Sequence, residues 1–166
     1  MILAYHGSPH NFDSFDFSKM GTEGGVTGAG FGLYFSTSKA DSLSYGPIMY
    51  TCMLDLKTNV SNTQMTFNHS KVLLILEKLQ ALVDDKLIDF SEESINGFLK
   101  LSKTDTNLIT NIVKLNGCTL EQIMMSLSNT GFTHTIDLES PEESGTTHYI
   151  VYDLQAIKII DVESFE

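Results

Sequence analysis

A chain of 166 residues and 18.4 kDa with 42% hydrophobic residues can bury a core of its own, so one α+β domain spanning 1–166 is expected rather than a disordered polymer. A formal charge of −11 and a pI near 4.7 repel phosphate backbones at long range and argue against a general nucleic-acid partner. All ten basic residues are lysines, which excludes any mechanism needing a guanidinium fork from this chain's own residues.

Ile2 to Tyr5 is an apolar run ended by Gly7 and Pro9, the pattern of a buried strand feeding a loop. The segment Met1 to Gly7 has no basic region and meets polar residues too early for a secretory leader. The most apolar run, Val72 to Leu76, is too short to span a bilayer, so a cytoplasmic protein without a membrane partner is expected. Phe12, Phe15 and Phe17 alternate with polar residues and should pin the following loop to the body. That loop dissolves into Gly21, Gly24, Gly25, Gly28 and Gly30, where backbone can pass close to a ligand.

Gly32 to Ser36 reads as the next strand. Ser38 then caps a short helix through Tyr45, stopped by Gly46-Pro47, and Ile48 to Leu56 is a further strand. From about Asn59 to Asn129 the pattern turns helical. Its parts are a stripe from Val72 to Val83 after Ser70, a second helix from Ser91, a third over Asp105 to Leu115, and a fourth over Thr119 to Ser128. This block is expected to be a helical insertion. Strands return at Phe132 to Asp137, Thr147 to Tyr152 and Ala156 to Asp161, so the sheet is assembled from segments far apart in the chain. Cys52 and Cys118 stand alone and are expected to be reduced core residues. His6 and His10 are separated by Gly7 and Pro9, which forbid a helix that would aim both rings at one ion, so no metal is expected.

Three stretches carry side chains that a buried strand would not otherwise hold: His6-Gly7-Ser8, Gly32-Leu33-Tyr34-Phe35 and His148-Tyr149-Ile150-Val151-Tyr152-Asp153. In that order they resemble the His-Gly-Ser, Gly-x-Tyr-Phe and Glu-Tyr-Ile-Val-Tyr-Asp motifs of the diphtheria-toxin and poly(ADP-ribose) polymerase branch of ADP-ribosyltransferases. They are similar too to the compact versions in phage and mobile-element proteins. Ser42 and Tyr45 stand eight and eleven positions after Tyr34, as in the polymerases. The likeness covers about residues 2–56 and 130–161 and leaves the helical block unaccounted for.

The resemblance implies a split sheet of antiparallel strands around an NAD cleft. It implies a transferase that breaks the nicotinamide–ribose bond, with NAD as co-substrate and a protein as the target. It would give His6 the adenosine ribose hydroxyls, the Gly7 backbone and Ser42 the nicotinamide carboxamide, and Tyr34 and Tyr45 the two faces of the nicotinamide ring, with Ser8 in the same motif. A flat electron-poor ring suits aromatic faces, and a carboxamide suits paired polar groups.

The usual catalytic glutamate is His148 here. A neutral imidazole accepts one hydrogen bond but brings no negative charge to an oxocarbenium-like state. Three outcomes follow from that exchange. One is mono-ADP-ribosylation assisted by the acceptor, and another is replacement of the charge by Glu142 or Glu143. The third is an NAD or ADP-ribose binder without turnover, with hydrolysis of NAD as a lesser option.

Overall fold

The computed structural model describes residues 1–19, 32–57, 59–62, 69–82, 91, 93, 96, 97, 120–129, 131, 133–137 and 145–165. They form an α+β fold on one seven-stranded sheet of spatial order β4-β5-β6-β2-β1-β3-β7. The strands are β1 (Ile2–Ser8), β2 (Leu33–Ser36), β3 (Ile48–Leu54), β4 (Asn59–Asn62), β5 (His134–Asp137), β6 (His148–Val151) and β7 (Ile157–Ser164). Adjacent pairs are antiparallel except β4 with β5.

The sheet has one narrow joint. β1 and β3 are in register from Ile2↔Leu54 to Ser8↔Ile48, and β2 and β6 from Leu33↔Val151 to Ser36↔His148. Between β1 and β2, however, only Tyr5↔Ser36 pairs. The sheet therefore divides into β4-β5-β6-β2 and β1-β3-β7, which part on either side of that pair.

Helix α1 (Lys39–Leu43) straddles the joint, since the chain leaves β2, makes α1 and enters β3. It forms where expected: Ser38 has extended backbone and its hydroxyl accepts from the Asp41 N–H at 3.3 Å, satisfying a donor that the first turn leaves free. Helices α2 (His69–Leu82) and α3 (Leu120–Asn129) pack on each other, and α3 also meets the 3-10 turn at Phe17–Lys19. The core gathers Ala4, Phe35, Tyr50, Cys52, Leu54, Ile150 and Tyr152 from the sheet with Leu79 of α2.

Several boundaries move relative to the sequence reading. β1 runs on through His6 and Gly7 to Ser8, because β3 supplies a ladder partner for each. Asn59–Asn62, assigned to the start of the helical block, is instead a strand beside β5. Its Asn-Val-Ser-Asn composition favours strand only once a partner edge exists. The last strand starts after a 3-10 turn at Leu154–Ala156 and continues to Ser164. The expected helix over 105–115, nearly all of the one from Ser91, Cys118 and the glycine-rich loop lie outside the described residues. Cys52 is a buried free thiol, its pKa pushed up to about 12 by burial.

Candidate functional site

At the joint the strands cannot satisfy each other by a continuous ladder, and side chains take over. Tyr34 O, on the β2 side, receives a hydrogen bond from His6 Nδ1–H at 2.7 Å. A carbonyl only accepts, so this contact fixes the proton on Nδ1 and leaves Nε2 as the acceptor. The imidazole is packed by Phe15 (5.1 Å between ring centres), Phe35 (5.6 Å), Phe12 and Tyr50 (6.1 Å each). Burial lowers its pKa, partly opposed by the bond to Tyr34. The phenylalanines pin the segment after β1 as expected: Phe12 stacks on Tyr50 at 4.0 Å and 7°, and the Phe12 N–H donates to the Tyr50 hydroxyl at 2.6 Å.

Side chains alternate between the two faces of a strand, and the contacts sort the predicted residues accordingly. His6 shares one face with Phe35. Gly7, Tyr34 and His148 lie on the other, under α1. Gly7 is required there by packing, because a Cβ would stand 1.8 Å from Ser42 O. Ser42 is buried and its hydroxyl donates to Tyr5 O at 3.0 Å. A hydroxyl that donates can also accept, here from an amide N–H. Tyr45 follows α1 and is 55% exposed, with its ring edge-on to His148 at 6.5 Å and 74°. Tyr34 is half-buried and opposite Ile150, one diagonal step from His148 across β2 and β6.

The His6 imidazole, packed on the opposite face among Phe12, Phe15, Phe35 and Tyr50, is not brought into this group, and neither is Ser8. The Ser8 hydroxyl donates to His10 O at 2.8 Å and accepts from the His10 N–H at 3.1 Å, which closes a turn after β1.

His148, in the position where a glutamate was expected, has a carboxylate beside it. Its Nε2 lies 2.6 Å from Asp41 Oδ2, and the two side chains are 4% and 3% exposed. Glu142 and Glu143, either of which was one of three ways to account for the missing charge, lie outside the described residues. Asp41 was not singled out from the sequence, although one signal was present: it stands four positions before Tyr45 and so on the same side of a helical turn. The pairing itself spans 107 positions and is set by the β2–β6 register, which no local pattern reveals.

The site holds a carboxylate–imidazole pair, two tyrosines and a serine oxygen around one end of the joint. Such a set can grip a flat amide-bearing ring and accept from a sugar hydroxyl. Among the described residues, no group of three or more His, Cys, Asp or Glu could hold a metal ion. No helix among them is long and apolar enough to cross a membrane. A separate open cavity of about 450 Å³, lined by Phe12, Asp13, Ile48, Ile159 and Val162, lies on the opposite face of the sheet from α1.

Neither a protein-family model nor a curated protein matches this chain. A solved structure described as "Crystal structure of an anti-CRISPR protein" is similar over 99% of this chain and 95% of its own, with a TM-score of 0.45 and 13% identity. A likeness that remote carries no weight for fold family or function.

Proposed function

We propose that this protein is a mono-ADP-ribosyltransferase that cleaves the nicotinamide–ribose bond of NAD and passes ADP-ribose to a macromolecular target, most simply a protein. The observation that supports it is the convergence of three distant segments on the single-pair joint of the sheet. His6 bonds the Tyr34 carbonyl, His148 is bonded to Asp41, and Tyr45 lies against His148. Nicotinamide would sit between Tyr34 and Tyr45, each ring pair contributing roughly 0.5–1.5 kcal/mol. Its carboxamide would donate to the Ser42 oxygen.

The C1′–N bond breaks with its electron pair going to the ring nitrogen, which gives neutral nicotinamide. An acceptor lone pair then forms the new bond to C1′, and the acceptor proton leaves to solvent. Positive charge on the ribose is greatest between these events, so a negative group near it favours the step. Nicotinamide release by the full chain, with labelling of a lysate protein by tagged NAD, tests the reading. Tyr34→Ala should reduce release by about twofold to tenfold, the loss of one stacked face. Release that is untouched by this substitution would count against the site.

A second reading, an NAD or ADP-ribose binder without turnover, is favoured by one feature. His148 and Asp41 are almost wholly enclosed, at 4% and 3% exposure. Tight nucleotide binding with neither nicotinamide release nor labelling selects it. Release of free ADP-ribose without a labelled acceptor selects NAD hydrolysis.

A further inference from the structure

We propose that Asp41 is a positioning residue that acts through His148, fixing the imidazole so that Nδ1 presents a bare lone pair to a ribose hydroxyl of the bound nucleotide. This deepens the NAD reading above and rests on it for the identity of the ligand.

The argument begins with the contact itself. An ionised carboxylate only accepts, so at 2.6 Å from Asp41 Oδ2 the His148 Nε2 carries a proton. In a neutral ring Nδ1 then carries none. With the ring neutral, the pair as a whole bears one negative charge, carried by the α1 side chain. A glutamate in this position would supply an acceptor and a charge in one group. Here an imidazole supplies the acceptor and Asp41 the charge.

Asp41 has little freedom to do otherwise. Its N–H caps onto Ser38, and its carbonyl accepts from both the Ser44 N–H (3.1 Å) and the Ser44 hydroxyl (2.7 Å), which fixes the backbone. His148 is held on the other side by β6, opposite Ser36 in the ladder. The pair has one exposed neighbour: Tyr45, 55% exposed, lies edge-on to the imidazole at 6.5 Å between ring centres. A carboxylate that orients an imidazole and sets its tautomer is a recurring arrangement in sites where the ring must accept at one nitrogen.

The test compares Asp41→Asn, His148→Glu and the double substitution, following nicotinamide release, NAD affinity and melting temperature, with nitrogen shifts of His148 from labelled protein. Asparagine can keep a hydrogen bond to the ring but not the charge. Asp41→Asn should therefore lower kcat about 10²-fold with KM within about threefold and melting nearly kept. His148→Glu alone sets two carboxylates in contact and should also be poor. The double substitution leaves one carboxylate facing the ribose and should recover to within about tenfold of the parent, a coupling of opposite sign to the singles. Nitrogen shifts should show a protonated Nε2 and an unprotonated Nδ1 in the parent, disturbed in Asp41→Asn.

A pair that merely staples α1 to β6 gives the opposite pattern. Activity then follows melting temperature in all three variants and the double is not rescued, which overturns the proposal; so does a protonated Nδ1. If the parent neither binds NAD nor releases nicotinamide, the NAD reading and the ribose ligand fall together. The nitrogen shifts still decide separately whether Asp41 sets the ring.

Discussion

Gly7 and His6 are neighbours with opposite constraints. At Gly7 the last turn of α1 comes so close that an added Cβ would stand 1.8 Å from Ser42 O, a backbone atom that cannot swing aside. Gly7→Ala should cost about 3 kcal/mol or more, at or above the upper end for overpacking, read as a shift in urea midpoint. A variant as stable as the parent would mean that α1 is not seated on β1. At His6 the constraint is charge. Burial holds its pKa below the ordinary value of 6.5, and burial does the same to His134. The unfolded chain thus binds protons that the folded chain refuses. These two groups leave stability unchanged well above about 6.5, and stability falls as pH drops through that value. The loss is at most about 1.4 kcal/mol per pH unit for each group, levelling once the folded state protonates too. Urea midpoints between about pH 7.5 and about pH 5 should fall less steeply in His6→Gln; an equal slope would assign the effect elsewhere. At this scale Gly7, Ser42 and the tyrosines were singled out by the joint spacing of their motifs, and the structure places them near α1 without testing the roles expected of them. Asp41 was silent, because its meaning comes from a partner 107 positions away.

Among the elements, α1 matters most, because it carries Asp41 and Ser42 and leads directly into Tyr45. It is only five residues long, below the length at which a helix sustains itself, so its cap and its tertiary contacts decide whether it forms. Ser38→Ala removes the oxygen that receives the Asp41 N–H and should cost about 1 kcal/mol. Because the loss falls on the segment that holds the site, NAD affinity should weaken along with stability. Unaltered affinity in a destabilised Ser38→Ala would show that the site does not depend on that turn. This helix was legible, since a serine cap and a Gly-Pro stop bracket it. β4 was not: Asn59 to Asn62 has no apolar alternation, and its strand form depends on the edge of β5. Local composition speaks for elements that stabilise themselves and is mute for those created by a neighbour.

Among the described residues, the two half-sheets are joined by the Tyr5–Ser36 pair, the His6 to Tyr34 bond, α1 with its contacts to Tyr5, Gly7 and His148, and the packing of Phe35 on His6 and Phe15. His148→Ala strands the Asp41 carboxylate in the interior and should destabilise by about 3–5 kcal/mol in chemical denaturation. A loss below about 1 kcal/mol would show that the carboxylate readily regains water. Native-state hydrogen exchange should resolve β3, paired on both sides, as the slowest strand, with β1 and β7 opening beside it and β2, β5 and β6 in a separate unit. One common opening energy for all of them would mean that the joint is as firm as the ladders.

In the half-sheet β1-β3-β7, Ile2 is level with Leu54 and Ile157, while Ser8 is level with Ile48 and Ser164. The first and last strands thus flank β3, both antiparallel to it and so parallel to each other, and the chain exits from opposite ends. Tension applied at Met1 and Phe165 would drag these strands lengthwise past β3, loading every rung at once rather than peeling them singly. Tyr34 and His148 hang from the other side of the seam and would feel almost none of that pull. In an optical trap, the protein should hold to high force and then give way abruptly.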